Sequence, residues 1–341
     1  MSQAARKATL TFSIFIITLL LIQTVHAPSL VLTITANENY NVGENIVISG
    51  TLTLDGSPVP DGLVSIQIND PRGNDPEHNL FIMRVLPTGT TPPGPWPVDI
   101  LEMFPCDIDG NPKSNFRRGG AFGTKVTVRN NCASPQHIIV VLTLYYSNGI
   151  PFATVMMMNQ WLDPLTTESK RRWLEAFIPS NAPLGTAYVY AGALSNWTQY
   201  AGVAWCPEKA ASFNIVAASA GLSALTNTNQ ENYAAATLGV FDTTFKISDH
   251  GGILGNYNIY ATSLYEMMPA SDHKTFKAIL ITDVTPPPGV GDGKVDMQDI
   301  VYLILHFGSH DPIGDINKDG TVDMQDIVRV ILDYGKWGVV P

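Results

Sequence analysis

Charge is in short supply in this 341-residue chain: Asp, Glu, Lys and Arg make up 15% of it, and 20 basic residues face 30 acidic ones. The formal net charge of -10 and a pI near 5.0 argue against a nucleic-acid partner, because phosphate binding needs clustered Lys and Arg. Cysteine is nearly absent, with Cys106, Cys132 and Cys206 far apart. No CxxC pair occurs, so the thiolate spacing of a metal cluster is missing. H-E-x-x-H, G-x-S-x-G and Gly-rich phosphate loops are missing too, which removes the commonest hydrolase and nucleotide signatures. His78, His137, His250, His273, His306 and His310 stand singly, a distribution that fits structural histidines better than catalytic ones. After the N-terminal region no second long apolar run appears.

What is present is apolar residue, 45% of the chain, enough for two or three domains with real cores. Arg6 and Lys7 precede an apolar run from Ala8 to Ile22 and then Val25-His26-Ala27, the pattern of a secretory signal peptide over residues 1–27. The run is shorter than the ~20 residues of a spanning helix. Membrane attachment would therefore come only from this segment if it stays uncut, and Pro28 has no N–H to offer the peptidase. Export puts the chain outside the cell or on its surface. Three cysteines suit that compartment, with one disulfide and one thiol left over. Asn196-Trp197-Thr198 is a glycosylation acceptor pattern that predicts an exposed loop.

Short runs rich in Val, Ile, Thr and Tyr predict a mainly β protein. Leu30, Leu32 and Ile34 alternate with other residues, as do Ile46 and Ile48, then Val64, Ile66 and Ile68, then Phe81, Met83 and Val85. Each set predicts a strand with one buried face. Turn signals at Asn41 to Gly43, Asp55-Gly56 and Asp61-Gly62 space these strands as in a β-sandwich. The stretch ANENYNVGENIVISGTLTLDGSPVPDGLVSIQINDPRGN resembles macroglobulin-like and bacterial immunoglobulin-like sandwich modules of extracellular proteins. Too few strands precede the Pro-rich residues 90–97 to complete such a fold. Three more, around 240–248, 255–265 and 273–281, match the way the resembled family closes it. This predicts a discontinuous domain, 28–91 and 237–283, with a second sandwich, 96–217, inserted in one of its loops.

In the insert, KVTVRNN, HIIVVLTLYY, TVMMMNQW, RRWLEAFIP, TAYVYAGAL and ASFNIV read as strands. HIIVVLTLYY is apolar on both faces, as expected of a central strand. The pattern resembles extracellular immunoglobulin-like domains associated with cell adhesion in bacteria and archaea. That resemblance puts first and last strands side by side, which implies a Cys106–Cys206 disulfide and leaves Cys132 free. Residues 218–236 and the Pro-rich 284–290 read as linkers.

Residues 291–341 carry an internal repeat: Asp292 to Gly308 and Asp319 to Gly335 agree at 12 of 17 positions. Calcium loops of 12 residues supply oxygen from positions 1, 3, 5, 7, 9 and 12, with Gly at 6 for the turn. Asp315, Asn317, Asp319, the Thr321 carbonyl, Asp323 and Asp326 fill those positions in the second copy, around Gly320. The first copy keeps Asp292, the Lys294 carbonyl, Asp296 and Asp299, around Gly293, but counts Pro288 and Val290 into positions 1 and 3. Either that site is weak, or PPPGV is an insertion and Asp283 returns as a distant ligand.

One helix follows each loop. Ile300, Leu303, Ile304 and Phe307, and then Ile327, Val330, Ile331 and Tyr334, recur at i, i+3, i+4 and i+7, and Gly308 and Gly335 end the runs. Two short helices packed antiparallel through these stripes are predicted. Loop then helix, twice, without an entering helix, resembles the type I dockerin over residues 291–336. The resemblance implies bound calcium, a cohesin-like or other surface-protein module as partner, and contact through Met297, Gln298, Met324 and Gln325 at loop positions 10 and 11. The alternative is that Met297 and Met324 fill the module's own core.

Asp99 with Glu102, or Asp107 with Asp109, are conceivable carboxylate pairs for glycoside hydrolysis, but such pairs are common in loops. Lys170-Arg171-Arg172 reads as a solvated strand edge. Trp96, Trp161, Trp197 and Trp205 suit either a sugar-stacking platform or buried packing. Taken together the residues and these resemblances imply two immunoglobulin-like β-sandwiches, the second inserted in the first, plus a small α-helical dockerin-like module. The function expected is non-catalytic, calcium-dependent docking at the cell surface. A glycan-binding component of an extracellular polysaccharide-degrading complex is the alternative.

Overall fold

The computed structural model describes residues 27–218, 237–285 and 291–341. The segment up to residue 26 expected to be a signal peptide, nearly all of the expected 218–236 linker, and residues 286–290 of the Pro-rich stretch lie outside them. The chain is mainly β. Its strands are β1 (Leu30–Thr35), β2 (Asn39–Asn41), β3 (Asn45–Leu54), β4 (Ser57–Pro58), β5 (Leu63–Asn69), β6 (Leu80–Pro87), β7 (Val98–Cys106), β8 (Asn115–Arg117), β9 (Phe122–Asn130) and β10 (Gln136–Tyr146). Then come β11 (Pro151–Leu162), β12 (Thr167–Leu174), β13 (Gly185–Leu194), β14 (Lys209–Val216), β15 (Val240–Lys246), β16 (His250–Ile253), β17 (Gly255–Tyr265) and β18 (Met268–Ile279). Helices α1 (Met297–Leu305) and α2 (Met324–Leu332) precede β19 (Trp337–Val339).

A first pair of sheets has strand orders β1-β3-β15, with β4 on β3, and β2-β18-β17-β5-β6. Ile46, Ile48, Phe241 and Phe245 of one sheet and Ile66, Ile68, Tyr257 and Phe276 of the other enclose a single core. Residues far apart in the chain share both sheets: β15 pairs with β3, β17 with β5, and β18 runs parallel to β2. The alternation read from the sequence decides which side chains point inward, and the pairing brings the two sets into register. Gly50 is required where they meet most closely, because a Cβ there would stand 2.3 Å from the Phe241 ring and 2.0 Å from the Thr33 carbonyl oxygen.

The intervening residues build a second pair of sheets, β11-β10-β13-β14-β8 and β12-β9-β7, around Val126, Val128, Val140, Leu142, Val189 and Phe213. The double-faced apolar strand β10 divides its side chains between two environments. Ile138, Val140, Leu142 and Leu144 enter this core. Ile139 and Val141 turn the other way and meet Met83 of β6, with Leu194 and Trp197.

Beside this apolar cluster, polar groups fasten the two pairs of sheets. Thr143 donates to the Met83 carbonyl at 2.9 Å and accepts from the Met83 N–H at 3.1 Å. Strand β5 is buried along its whole length, not on one face only. Its outward Gln67 and Asn69 both donate to Gln199 Oε1, at 2.7 and 2.6 Å. Arg84 lies 3.8 Å above the Tyr190 ring and pairs with Glu208 at 2.6 Å, while Glu208 also accepts from the Val85 N–H at 2.8 Å. Burial is the largest single influence on Arg84 and lowers its pKa, but the Glu208 charge and hydrogen bonds, together with Tyr145 and Tyr190, outweigh it and hold the guanidinium above its ordinary value.

Two expectations are corrected here. The Cys106–Cys206 disulfide is not formed, and all three cysteines are free thiols. Cys206 lies against the backbone of Ile100 near the start of β7, whereas Cys106 ends that strand. Six residues of strand span roughly 20 Å, beyond the ~7 Å between Cα atoms that a disulfide tolerates. Burial pushes the Cys106 thiol up to about 11 and the Cys206 thiol up to about 12, so both stay protonated at neutral pH. The glycosylation pattern is also only partly exposed: Asn196 faces solvent, but Trp197 and Thr198 are buried, with Trp197 in the cluster between the pairs of sheets.

Candidate functional site

The repeat folds as one interlocked unit. Asp296 accepts from the Gln298 N–H at 2.7 Å while Asp299 accepts from the Asp296 N–H at 2.8 Å, so α1 starts on a reciprocal cap. Asp323 and Asp326 repeat this at the start of α2, at 2.7 and 2.9 Å. Each loop's position 8 then pairs with the chain leaving the other copy's helix. Val295 donates to the Lys336 carbonyl and accepts from the Gly335 N–H, as Val322 does with Ser309 and Gly308. Val295, Leu303, Ile316, Val322, Ile327 and Val330 are buried in the same core as the first pair of sheets. Beyond α2, β19 pairs parallel to β16, an element too short to be read from sequence.

The helical stripes expected to be wholly buried are divided. Leu303 and Val330 are fully buried, but Ile304, Phe307, Ile331 and Tyr334 are 56%, 55%, 52% and 53% exposed. Two nine-residue helices enclose one line of side chains between them, so the flanking line faces solvent. Met297 and Met324 are 57% and 59% exposed, which overturns their packing in the module's core. Leu305 and Leu332 are both 77% exposed, and Val301 and Val328 both 46%. The same outward apolar face is therefore built twice, with Gln298 and Gln325 also exposed.

In the second loop, Asp315 accepts from the Asp319 and Gly320 N–H groups at 3.1 and 2.8 Å, and Asp319 accepts from Thr321 at 3.1 Å. Asp326 closes the loop by accepting from Ile316 and Asn317 at 2.9 and 3.1 Å. Lys318 and Gly320 carry φ of 59° and 100°, the left-handed backbone that turns the chain.

The first loop repeats these bonds through residues the 12-residue count did not include. Asp283 accepts from Asp292 and Gly293 at 3.1 and 2.7 Å, Asp292 accepts from Lys294 at 3.0 Å, and Asp299 accepts from Val284 and Thr285 at 2.9 and 3.0 Å. Gly291 and Gly293 have φ of 72° and 86°. Asp283 and Thr285 thus occupy the places of Asp315 and Asn317. Pro288 and Val290 lie outside the described residues. Val284, 3% exposed and in the shared core, belongs to packed structure and not to a linker.

The chemistry of these groups suits a hard cation. Asp283, Asp292, Asp296, Asp299, Asp315, Asp319, Asp323 and Asp326 have no ion-pair partner among the described residues. Asp299 and Asp326 are nevertheless 1% and 0% exposed, and buried charge is normally paired or metal-bound. An ionised carboxylate offers about four acceptor directions; Asp326 accepts three N–H bonds, whereas Asp299 accepts three N–H bonds and one from the Thr285 hydroxyl at 3.0 Å. Burial pushes the Asp283 carboxyl up to about 6, against the lowering effect of the Gly293 and Asp292 N–H bonds and with repulsion from Asp299 and Asp292 adding to it. Among the described residues no three His, Cys, Asp or Glu side chains converge as a metal-holding group. The loops instead offer mixed donors, with the Asn317 carboxamide, the Thr285 hydroxyl and the Lys294 and Thr321 carbonyls beside the carboxylates.

Other sequence candidates disperse. Asp107 accepts from the Asp109 and Asn111 N–H groups at 3.0 and 2.8 Å and so caps its own turn. Lys170 pairs with Glu168 at 2.8 Å on β12. Of the tryptophans that suited either a platform or buried packing, Trp197 is 5% exposed and packed, Trp205 donates to the His137 carbonyl at 3.0 Å, and Trp161 is 68% exposed. Among the described residues no helix is long and apolar enough to cross a membrane.

No family model and no curated protein matches the chain. Solved structures give local likenesses. An alkylpurine DNA glycosylase of Pseudomonas fluorescens is 13% identical with a TM-score of 0.27, over 36% of this chain and 31% of that one. The C-terminal domain of Wzt is 6% identical with a TM-score of 0.29, over 42% and 86%. β-Glucuronidase 2 of Bacteroides uniformis is 10% identical with a TM-score of 0.26, over 51% and 26%. The chain spans about a third of the glycosylase and a quarter of the glucuronidase. Likenesses this slight carry no functional argument.

Proposed function

We propose that this is an exported, non-catalytic surface or extracellular protein. Two immunoglobulin-like β-sandwiches, the second inserted in a loop of the first, carry a dockerin-like calcium-binding module that docks to a cohesin-like module of another surface protein. The observation that carries the reading is the duplicated outward face, Met297, Val301, Ile304 and Leu305 on α1 and Met324, Val328, Ile331 and Leu332 on α2. Leaving such side chains in water forgoes roughly 25 cal/mol per Å², and contiguous exposed apolar surface marks an interaction site. Gln298 and Gln325 add polar contacts beside each face.

Calcium would be held in the second loop by Asp315, Asn317, Asp319, the Thr321 carbonyl, Asp323 and Asp326. Bound there, it supplies the positive charge that the acidic loop lacks and fixes the loop that starts α2. The side chains do the docking; the loop orients them.

The test is interferometry of the full chain against a panel of purified cohesin modules, in calcium and then in chelator. Calcium-dependent binding by a panel member, lost in the Ile304→Ser, Ile331→Ser double variant, is expected. Binding by no member, or undiminished binding of the double variant, overturns the docking reading.

A further inference from the structure

The sheet β12-β9-β7 turns Met103, Val126 and Val128 into the core of the second pair of sheets. Strand alternation sends the residues between them to the opposite face. Register then sets Arg171 of β12, Lys125 of β9 and Phe104 of β7 side by side in one row across that face. In the adjoining row Trp173 stands opposite Gly123, where a Cβ would lie 2.7 Å from the indole, so glycine lets the ring rest against the sheet. In the row on the other side, the Thr127 and Ser169 hydroxyls bond at 2.7 Å.

Phe104 and Trp173 are half-buried, and neither belongs to the core between the sheets. Lys125 Nζ lies 5.6 Å from the Phe104 ring centre, and Lys113 Nζ lies 5.8 Å from that of Trp173. Lys113, Lys125, Arg129 and Arg171 have no ion-pair partner among the described residues. In a chain of net charge -10 this is a local excess of unpaired cation. Asp99 and Glu102 stand opposite Arg129 and Thr127 toward one end of the face. Asp107 and Asp109 lie in the turn at the other end, where Asp107 accepts from the N–H groups of its own turn. The positive stretch between these ends is that of Lys113, Lys125 and Arg171.

We propose that this outer face of the second pair of sheets binds an acidic polysaccharide. Sugar rings stack on Trp173 and Phe104, whose faces are broad and apolar, and the acid groups of the chain pair with Arg171, Lys125 and Lys113. Thr127 and Ser169 offer their hydroxyls to those of the next sugar. Charge complementarity selects the acid, and aromatic rings set beside cations in adjoining rows select a chain of sugar units over a bare anion. A nucleic acid is the poorer match, because its dense phosphates would also meet Asp99, Glu102 and the overall negative charge. The site rests on neither the docking nor the calcium reading.

The experiment is interferometry of the full chain over immobilised polygalacturonate, dextran sulfate and uncharged dextran. Binding to an acidic polymer and none to dextran is expected, and the acidic polymer preferred tells a carboxylate from a sulfate ester. Lys125→Gln with Arg171→Gln should weaken binding about 100-fold, at about 10-fold for each charged hydrogen bond lost. Trp173→Ala should weaken it about 5-fold. Lys170→Gln is the control: Lys170 is paired with Glu168 and stands opposite the inward Val126, so its loss should leave binding unchanged. An unchanged melting temperature of the double variant separates lost binding from lost fold. Equal binding to dextran, binding to none of the three polymers, or undiminished binding by the double variant overturns the proposal. If no polymer binds and the double variant sediments as a smaller species than the unaltered chain, the face is an interface between copies, and the proposal is overturned in that way.

Discussion

At the junction between the two pairs of sheets, Arg84 lies over Tyr190 with Glu208 against its guanidinium, while Thr143, Gln67, Asn69 and Gln199 exchange hydrogen bonds across the gap. At the junction with the C-terminal module, Val284, Leu303, Ile316 and Val330 simply extend the apolar core of the first pair of sheets. The contrast lies in what each kind of contact specifies. Directional donors and acceptors permit one register and penalise every other by leaving a buried group unpaired. Apolar packing rewards contact of many kinds, so the module's position needs separate fixing by β19 on β16 and by the Asp283 and Asp299 bonds.

Four variants would break or sharpen this contrast. Glu208→Ala strands Arg84 without its counter-charge in a dry junction and should cost about 3–5 kcal/mol in urea unfolding. A loss under about 1 kcal/mol would show water replacing the carboxylate, and the polar junction would then be no stricter than the apolar one. Leu303→Ala should cost about 2–5 kcal/mol by opening a cavity in the shared core. If calorimetry shows only the module's transition shifting, with the sheets unaffected, the core is not continuous across that junction.

Thr143→Val removes one hydroxyl and leaves both main-chain groups of Met83 without that partner, at about 1–3 kcal/mol. A smaller effect in urea titration would mean that the Met83 groups find other partners. The least effect on stability belongs to Leu305→Ser with Leu332→Ser, expected within about 0.5 kcal/mol because both side chains already face solvent. A large loss of melting temperature in that pair would show the outward faces to be covered within the chain, contrary to a docking role.

Several features were legible in the residues alone. The alternation in β3, β5 and β15 marked their inward faces, and HIIVVLTLYY declared a strand covered on both sides. The Asp-rich loops with their glycines predicted two turn-then-helix units; the caps made by the aspartates at positions 9 and 12 were read only from the structure. Other features were hidden for specific reasons. Ser65, Gln67 and Asn69 look solvated in sequence because they are polar, yet they are fully buried, with partners for Gln67 and Asn69 supplied by Gln199. Helical periodicity identified the apolar stripes of α1 and α2 but could not say how wide a stripe a two-helix module covers. The disulfide followed from a resemblance about strand neighbours, and the length of β7 separates its two sulfurs.

The residue pattern by itself determined the β character, the inward side of most strands, the two short helices and the oxygen-rich second loop, because those depend on interactions a few residues apart. Tertiary structure decided which outward faces became junctions and which stayed bare. It also decided that Asp283 stands beside Asp292 and Gly293. A 12-residue count assumes that loop length equals loop geometry, whereas the carboxylate is placed by the exit of β18 from a folded sheet. Only the packed chain holds that exit still.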